Sequence, residues 1–126
     1  MNIKELVQKY NLTKDDAWNL QRGGKSIWIL THDACEKIAS IENITIDDIK
    51  IMNSERDFCR LLIYASKDNA KVITIGEASK ENCVSNYYGA MSEKRGKDRA
   101  VLKLISAYEY GIFSETESDD FKKEGK

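Results

Sequence analysis

Lys94, Arg95, Lys97, Arg99 and Lys103 stand close together in one helix-forming segment, Ser85 to Tyr108. Set against Glu93 and Asp98, these five cations give the segment a local charge of +3 in a chain whose formal charge is −1. Arg95, Arg99 and Lys103 recur every four residues, which places them in one stripe of a helix. Binding a single nucleic-acid strand requires such a cationic track for phosphates, beside flat side chains on which bases stack. Lys94 and Lys97 flank the apolar face of the same helix, and Arg22 and Lys25 could supply a second wall from a glycine turn. Trp28, Tyr87 and Tyr88 are the flat candidates. Trp28 sits between Ile27 and Ile29 as a core residue would, whereas Tyr88 stands beside Gly89 at the helix start and suits stacking better. The expected phosphate and base contacts are therefore Arg22, Lys25, Tyr88, Lys94, Arg95, Lys97, Arg99 and Lys103.

Lys94 poses a sharper question. An apolar stripe begins at Tyr87, Ala90 and Met91 and resumes at Val101, Leu104, Ile105 and Tyr108, the spacing of one helix face. Lys94, Lys97 and Asp98 interrupt it. At 100° per residue, Lys94 projects near the centre of the face that Tyr87, Val101 and Ile105 define. A lysine on a packed face must be paired or keep a route to water. Two readings stay open: a local Lys94–Asp98 ion pair at the sheet edge, or Lys94 lining a groove between helix and sheet.

Other chemistry finds less support. Glu77 and Glu81 could hold magnesium as nucleases do, but no third carboxylate or catalytic lysine follows at a recognisable spacing. His32 and Cys35, three apart on an expected helix, resemble a nucleophilic pair, yet no orienting carboxylate is evident in the sequence. Cys35, Cys59 and Cys83 lack the close spacing of a zinc site and read as structural thiols of a reducing compartment. The chain is expected to be non-catalytic, with no metal and no cofactor.

The elements that must position these residues follow from size and pattern. A chain of 126 residues, 41% of them hydrophobic, makes one domain that buries roughly two-thirds of its unfolded surface. Charged residues are a third of the chain with the signs nearly balanced, so a nucleic-acid partner must be argued from local patches. No apolar run approaches the roughly 18 residues of a membrane span. The opening ten residues read as a short amphipathic segment rather than a signal peptide. The expectation is a cytoplasmic protein with no membrane partner, in the host cytoplasm if phage-encoded.

The pattern predicts a short helix to about Asn11, then a second one capped by Thr13 and carrying Ala17, Trp18 and Leu20. Gly23-Gly24 makes a turn, and Ser26–Leu30 a strand. Thr31 caps a helix that runs to about Ile41 and ends at Asn43. Three strands follow: Ile44–Met52 with a bulge at Asp47-Asp48, Phe58–Ala65 apolar on both faces as a central strand, and Lys71–Ile75 after a turn at Asp68-Asn69. The antiparallel meander packs on the long C-terminal helix. The expected fold is thus α+β, an αβββα core in residues 1–113 with short N-terminal helices and an extra strand. Residues 114–126 read as an acidic flexible tail.

Two motifs carry a resemblance. Trp28-Ile29-Leu30-Thr31-His32-Asp33-Ala34-Cys35-Glu36-Lys37-Ile38-Ala39 resembles the strand-to-helix junction of small phage recombination proteins. Gly76-Glu77-Ala78, Asn82 and Ala90-Met91-Ser92-Glu93-Lys94-Arg95-Gly96-Lys97-Asp98-Arg99-Ala100-Val101-Leu102-Lys103-Leu104 resemble their closing helix, and Phe113-Ser114-Glu115 to Phe121 resembles their ending. The order of elements is similar to Erf-type phage single-strand annealing proteins and the eukaryotic Rad-type annealing mediator. The resemblance implies a protein that binds single-stranded DNA and pairs complementary strands, commonly as an oligomeric ring and without a nucleotide cofactor. Gly89 and Gly96 depart from the alanines expected there, each weakening a helix interior by roughly 0.5–1 kcal/mol. Gly96 is expected to mark a close backbone contact. No counterpart of the family's long C-terminal partner-binding region is expected.

The function expected is therefore single-strand binding and annealing in phage-type recombination by a homo-oligomer, with the acidic tail able to meet a replication or recombination protein or to screen the basic helix. Two alternatives remain. Double-stranded RNA-binding domains share the αβββα order but place their lysines at the very start of the last helix. A phage-type protein that binds and inhibits a host protein is compatible with the near-zero net charge.

Overall fold

The structure, a computed structural model, describes residues 2–83 and 86–117, the side chain of Arg22 excepted. One long helix packs on a three-stranded sheet on one side. Its other side meets a second layer that includes the edge strand of a smaller three-stranded sheet. The chain runs α1 (Ile3–Lys9), β1 (Ala17–Arg22), β2 (Lys25–Leu30), α2 (His32–Ile41), β3 (Thr45–Glu55), β4 (Phe58–Lys67), β5 (Ala70–Ser79), α3 (Tyr88–Leu104) and β6 (Ile112–Ser114), with 3-10 turns at Ala107–Tyr110 and Glu115–Glu117. The meander β3-β4-β5 is antiparallel with β4 in the middle, and α3 packs on it as the sequence predicts. The bulge falls where expected, between Ile46 and Asp48, and a second lies between Ile51 and Asn53.

The smaller sheet, in the order β1-β2-β6, differs from the expectation. Residues 17–22 form a strand, not a second helix. Gly23 and Gly24 adopt φ of +58° and +78°, so Arg22 pairs directly with Lys25 across a two-residue hairpin turn of the type that matches strand twist. That turn requires a strand on both sides. Thr13 and Asp16, expected to open the helix, instead close a local turn, the Thr13 amide donating to Asp16 Oδ2 at 2.8 Å. Lys37 of α2 donates to the same oxygen, also at 2.8 Å. Burial alone would raise the Asp16 pKa, but these hydrogen bonds hold it below its ordinary value. Thr31 caps α2 as predicted, accepting from the Ala34 amide at 3.0 Å.

The hydrophobic core has two compartments with α3 between them. Val101 and Leu102 join Leu6, Tyr10, Leu30, Ile38 and Ile112 on one side, while Ala100 joins Cys59, Leu61, Ile63 and Ala65 on the other. The second contact is close because two glycines face each other. A Cβ on Gly76 would overlap the Ser92 carbonyl oxygen and lie 2.7 Å from the Gly96 amide nitrogen. One on Gly96 would overlap the Ile63 side chain and lie 3.3 Å from the Gly76 Cα. Backbone thus meets backbone, and the Thr74 hydroxyl donates to the Gly96 carbonyl oxygen at 2.6 Å. Gly96 marks the close contact its position in the helix suggests.

Gly89 is different, with nothing within 4 Å of a Cβ added there. Gly89 stands in the first turn of α3, so Gly89→Ala should raise stability by at most roughly 0.5–1 kcal/mol, the helix-interior value, through helix propensity alone. A lowered denaturation midpoint would mean that Gly89 serves a contact the fold does not show.

Residues 114–117, expected to open the acidic tail, belong to the fold. Ser114 and Thr116 are buried and Ser114 ends β6, because this segment supplies hydrogen bonds to α3. The fold therefore continues to Glu117, and residues 118–126 lie outside the described part. Among the described residues, no helix is long and apolar enough to cross a membrane.

Candidate nucleic-acid interface

A helix packed on two sides keeps only its flanks for solvent, and this divides the basic cluster of α3. Ser92, Gly96 and Ala100 turn toward the meander while Arg95, Asp98 and Leu102 turn toward the rest of the chain, and all six are buried. Lys94 and Lys97 emerge on one flank, Arg99 and Lys103 on the other. The expected stripe Arg95–Arg99–Lys103 does line one groove, but Arg95 is buried in its wall and only Arg99 and Lys103 are exposed.

Arg95 is the clearest departure. It is 5% exposed, and its guanidinium donates to the carbonyl oxygens of Thr116 at 2.6 Å, Glu77 at 2.9 Å and Asn82 at 2.7 Å. A further bond reaches Asn82 Oδ1 at 2.9 Å. Arginine's planar fork suits this role, tying β5, the following turn and the C-terminal 3-10 turn to one point. It is a clamp, with its donors committed inside the chain.

Arg99 and Lys103 line the larger groove, about 820 Å³, with Arg60, Glu77, Ile73, Ile75 and Met52 among its other walls. The groove starts on the face of the meander turned away from α3 and passes round the outer strand β5 to the helix. Neither Arg99 nor Lys103 has an ion-pair partner within 4 Å among the described residues. Arg60 is paired with Glu77, its Nε donating at 2.8 Å. Glu117 also faces this groove; burial raises its pKa, against the pull of Arg99 and its bonds from the Ser114 amide and Tyr108 hydroxyl.

On the opposite flank a groove of about 360 Å³ separates α3, α2 and the start of β3. Lys94 is exposed and lines it, so the groove reading of this residue holds for its placement and the ion pair with Asp98 is absent. Lys94 does not face the core because Tyr87, which helps to define the expected face, lies before the helix and is 74% exposed. Lys97 lines the same groove and pairs with Glu93 at 3.1 Å.

Lys25 is exposed at the tip of the β1-β2 hairpin and lines neither groove. Arg22 pairs with it through the backbone, and its side chain lies outside the described part. Tyr88 is half-buried against the core of the meander, and Trp28 against the other compartment.

Asp98, which interrupts the apolar stripe of the helix, turns inward. Its carboxylate, 1% exposed, accepts from three elements: His32 Nδ1 of α2 at 2.8 Å, the Ser114 hydroxyl at 2.9 Å and the Thr116 hydroxyl at 2.7 Å. This is the orienting carboxylate that the His32–Cys35 pair lacks in the sequence. His32 Nε2 faces Glu36 at 2.9 Å. The hydrogen bond to Asp98 raises the His32 pKa, with burial and Lys94 opposing. Burial pushes the Cys35 thiol well above its ordinary value, which disfavours the thiolate that a nucleophile needs. The signal that could have found the cluster is the polar residue in each of three apolar contexts: His32 beside a cap, Asp98 inside the helix stripe, and Ser114 after Ile112-Phe113. Comparison with known proteins returns no match, neither to a family model nor to a curated protein nor to a solved structure.

Proposed function

We propose that this chain binds single-stranded DNA in the groove beside β5 and pairs complementary strands without chemical catalysis, acting as an oligomer in phage-type recombination. The observation that carries the reading is the make-up of that one groove. Arg99 and Lys103, one helical turn apart and without ion pairs among the described residues, share it with exposed Ile73, Ile75 and Met52. Cations for a backbone and apolar surface for bases are what a sequence-tolerant single-strand site needs. The resemblance of the α3 motif to the annealing proteins supports the same reading. Among the described residues, both outer strands of the meander keep one unpaired side, which suits self-association.

Fluorescence anisotropy with labelled oligothymidine tests it. If three to five phosphates are contacted per protomer, affinity should fall roughly 20- to 130-fold between 50 and 200 mM salt. An Arg99→Glu/Lys103→Glu variant should lose most binding at 50 mM salt, and an Arg99→Gln/Lys103→Gln variant should lower the salt slope by about 1.4. Strand pairing, followed by energy transfer between labelled complementary strands, should fall in parallel. Unchanged affinity and slope in the glutamine variant would remove DNA from this groove. A preference for duplex RNA, or no binding to any oligonucleotide at 50 mM salt, would favour the double-stranded-RNA or protein-partner alternative instead.

A further inference from the structure

Side chains alternate across β4. Cys59, Leu61, Ile63 and Ala65 face α3 and are buried, whereas Phe58, Arg60, Leu62 and Tyr64 face away and are all half-exposed. Cross-strand partners share a face. By register, Lys50 of β3 lies opposite Leu62, and Ile73, Ile75 and Glu77 of β5 lie opposite Tyr64, Leu62 and Arg60. The helix that packs on this meander takes the other face, leaving Ile73 and Ile75 54% and 43% exposed.

Each aromatic ring of this open face has a cation over it. Lys50 Nζ lies 5.0 Å from the Tyr64 ring centroid and Arg60 Cζ 5.1 Å from that of Phe58. Flat rings and cations therefore alternate on a surface that also exposes aliphatic side chains. Arg60, Ile73 and Ile75 belong to this face and also line the groove that holds Arg99 and Lys103.

We infer that the open face of the meander is the platform on which the bases of a single strand lie, with Ile73, Ile75, Leu62 and Tyr64 as its contacts; the inference rests on the function proposed above. The charges fix the direction. Glu77 neutralises Arg60, and Asp48 lies opposite Tyr64, so the phosphates belong at Arg99 and Lys103 and the bases cross β5 onto the sheet. Contacts to base faces are tolerant of sequence, and they leave the Watson–Crick edges unused. A strand held in this way is still able to pair. The platform consists of side chains other than Trp28, Tyr87 and Tyr88, the flat residues the sequence draws attention to.

The test compares labelled oligothymidine with an abasic sugar-phosphate oligomer of equal length at 50 mM salt. Wild-type protein should bind oligothymidine about tenfold or more tightly than the abasic strand. Ile73→Thr/Ile75→Thr, at exposed strand positions that threonine fits, should bring that ratio toward one while abasic binding and its salt slope stay unchanged. Tyr64→Phe should keep the ratio and Tyr64→Ala lower it, with a melting curve to check that each is folded. Equal binding of the two strands by wild type would overturn the platform and leave the phosphate groove intact. Loss of binding to both would sink the function as well. If the isoleucine variant changes the sedimenting mass but not the ratio, the face belongs to a second copy of the chain and the inference fails.

Discussion

Replacing Asp98 with alanine is expected to destabilise the protein by about 3–5 kcal/mol, the range for removing one partner from a buried charged cluster. The loss is large because one carboxylate serves three donors. His32, Ser114 and Thr116 would each lose an acceptor, and the two hydroxyls are buried. Chemical denaturation measures this directly, and a loss below about 1 kcal/mol would mean the three donors find other partners. Asp98→Asn should fall between, since an amide keeps one acceptor oxygen but turns hydrogens toward at least one of the three.

The same cluster sets a pH dependence. Asp98 raises the His32 pKa above its unfolded value near 6.5. The folded state therefore binds the proton more tightly, and its contribution is complete below about pH 6.5. It is lost as pH rises through the folded value. Stability should decline over that window in wild type, and His32→Gln should flatten the decline. A steeper decline in the variant would reverse the assignment.

Gly76→Ala should be as damaging, with a loss at or above roughly 3 kcal/mol, the upper end usual for overpacking. Most overpacked sites relax by turning a side chain. Here the added methyl meets the Ser92 carbonyl and the Gly96 amide, which are backbone, so helix and strand must separate. Separation would also break the bonds from Thr74 to the Gly96 carbonyl and from Ser92 to the Cys59 carbonyl. The variant should lose cooperative unfolding before it loses secondary structure, visible as near-ultraviolet dichroism falling ahead of far-ultraviolet. A variant with wild-type midpoint and slope would contradict the close crossing.

Local signals carried the meander. The β4 run, the turn at Asp68, the Thr31 cap and the bulge near Asp47 are each fixed within a few residues, and each forms where the pattern places it. Thr13, Asp15 and Asp16 look like a helix start, but what decides residues 17–22 is pairing across Gly23-Gly24. The cation cluster shows a different limit. Its helical spacing is right, but spacing does not reveal how many sides of a helix are covered. One layer over α3 would have left Arg95 in water; the second, built from β6 and the turn after it, buries it. That layer is invisible locally because β6 is three residues long and sits in a sequence that reads as the approach to a tail.

The parallel pairing of Trp28–Leu30 with Ile112–Ser114 has a consequence for synthesis on the ribosome. The first strands and α2 emerge early, but the smaller sheet lacks its third strand and the first core compartment lacks Ile112 until the far end of the fold leaves the exit tunnel. Until then β2 keeps an unpaired edge and His32 waits for the carboxylate on α3. The nascent chain therefore completes its first core compartment only after Ile112 has emerged.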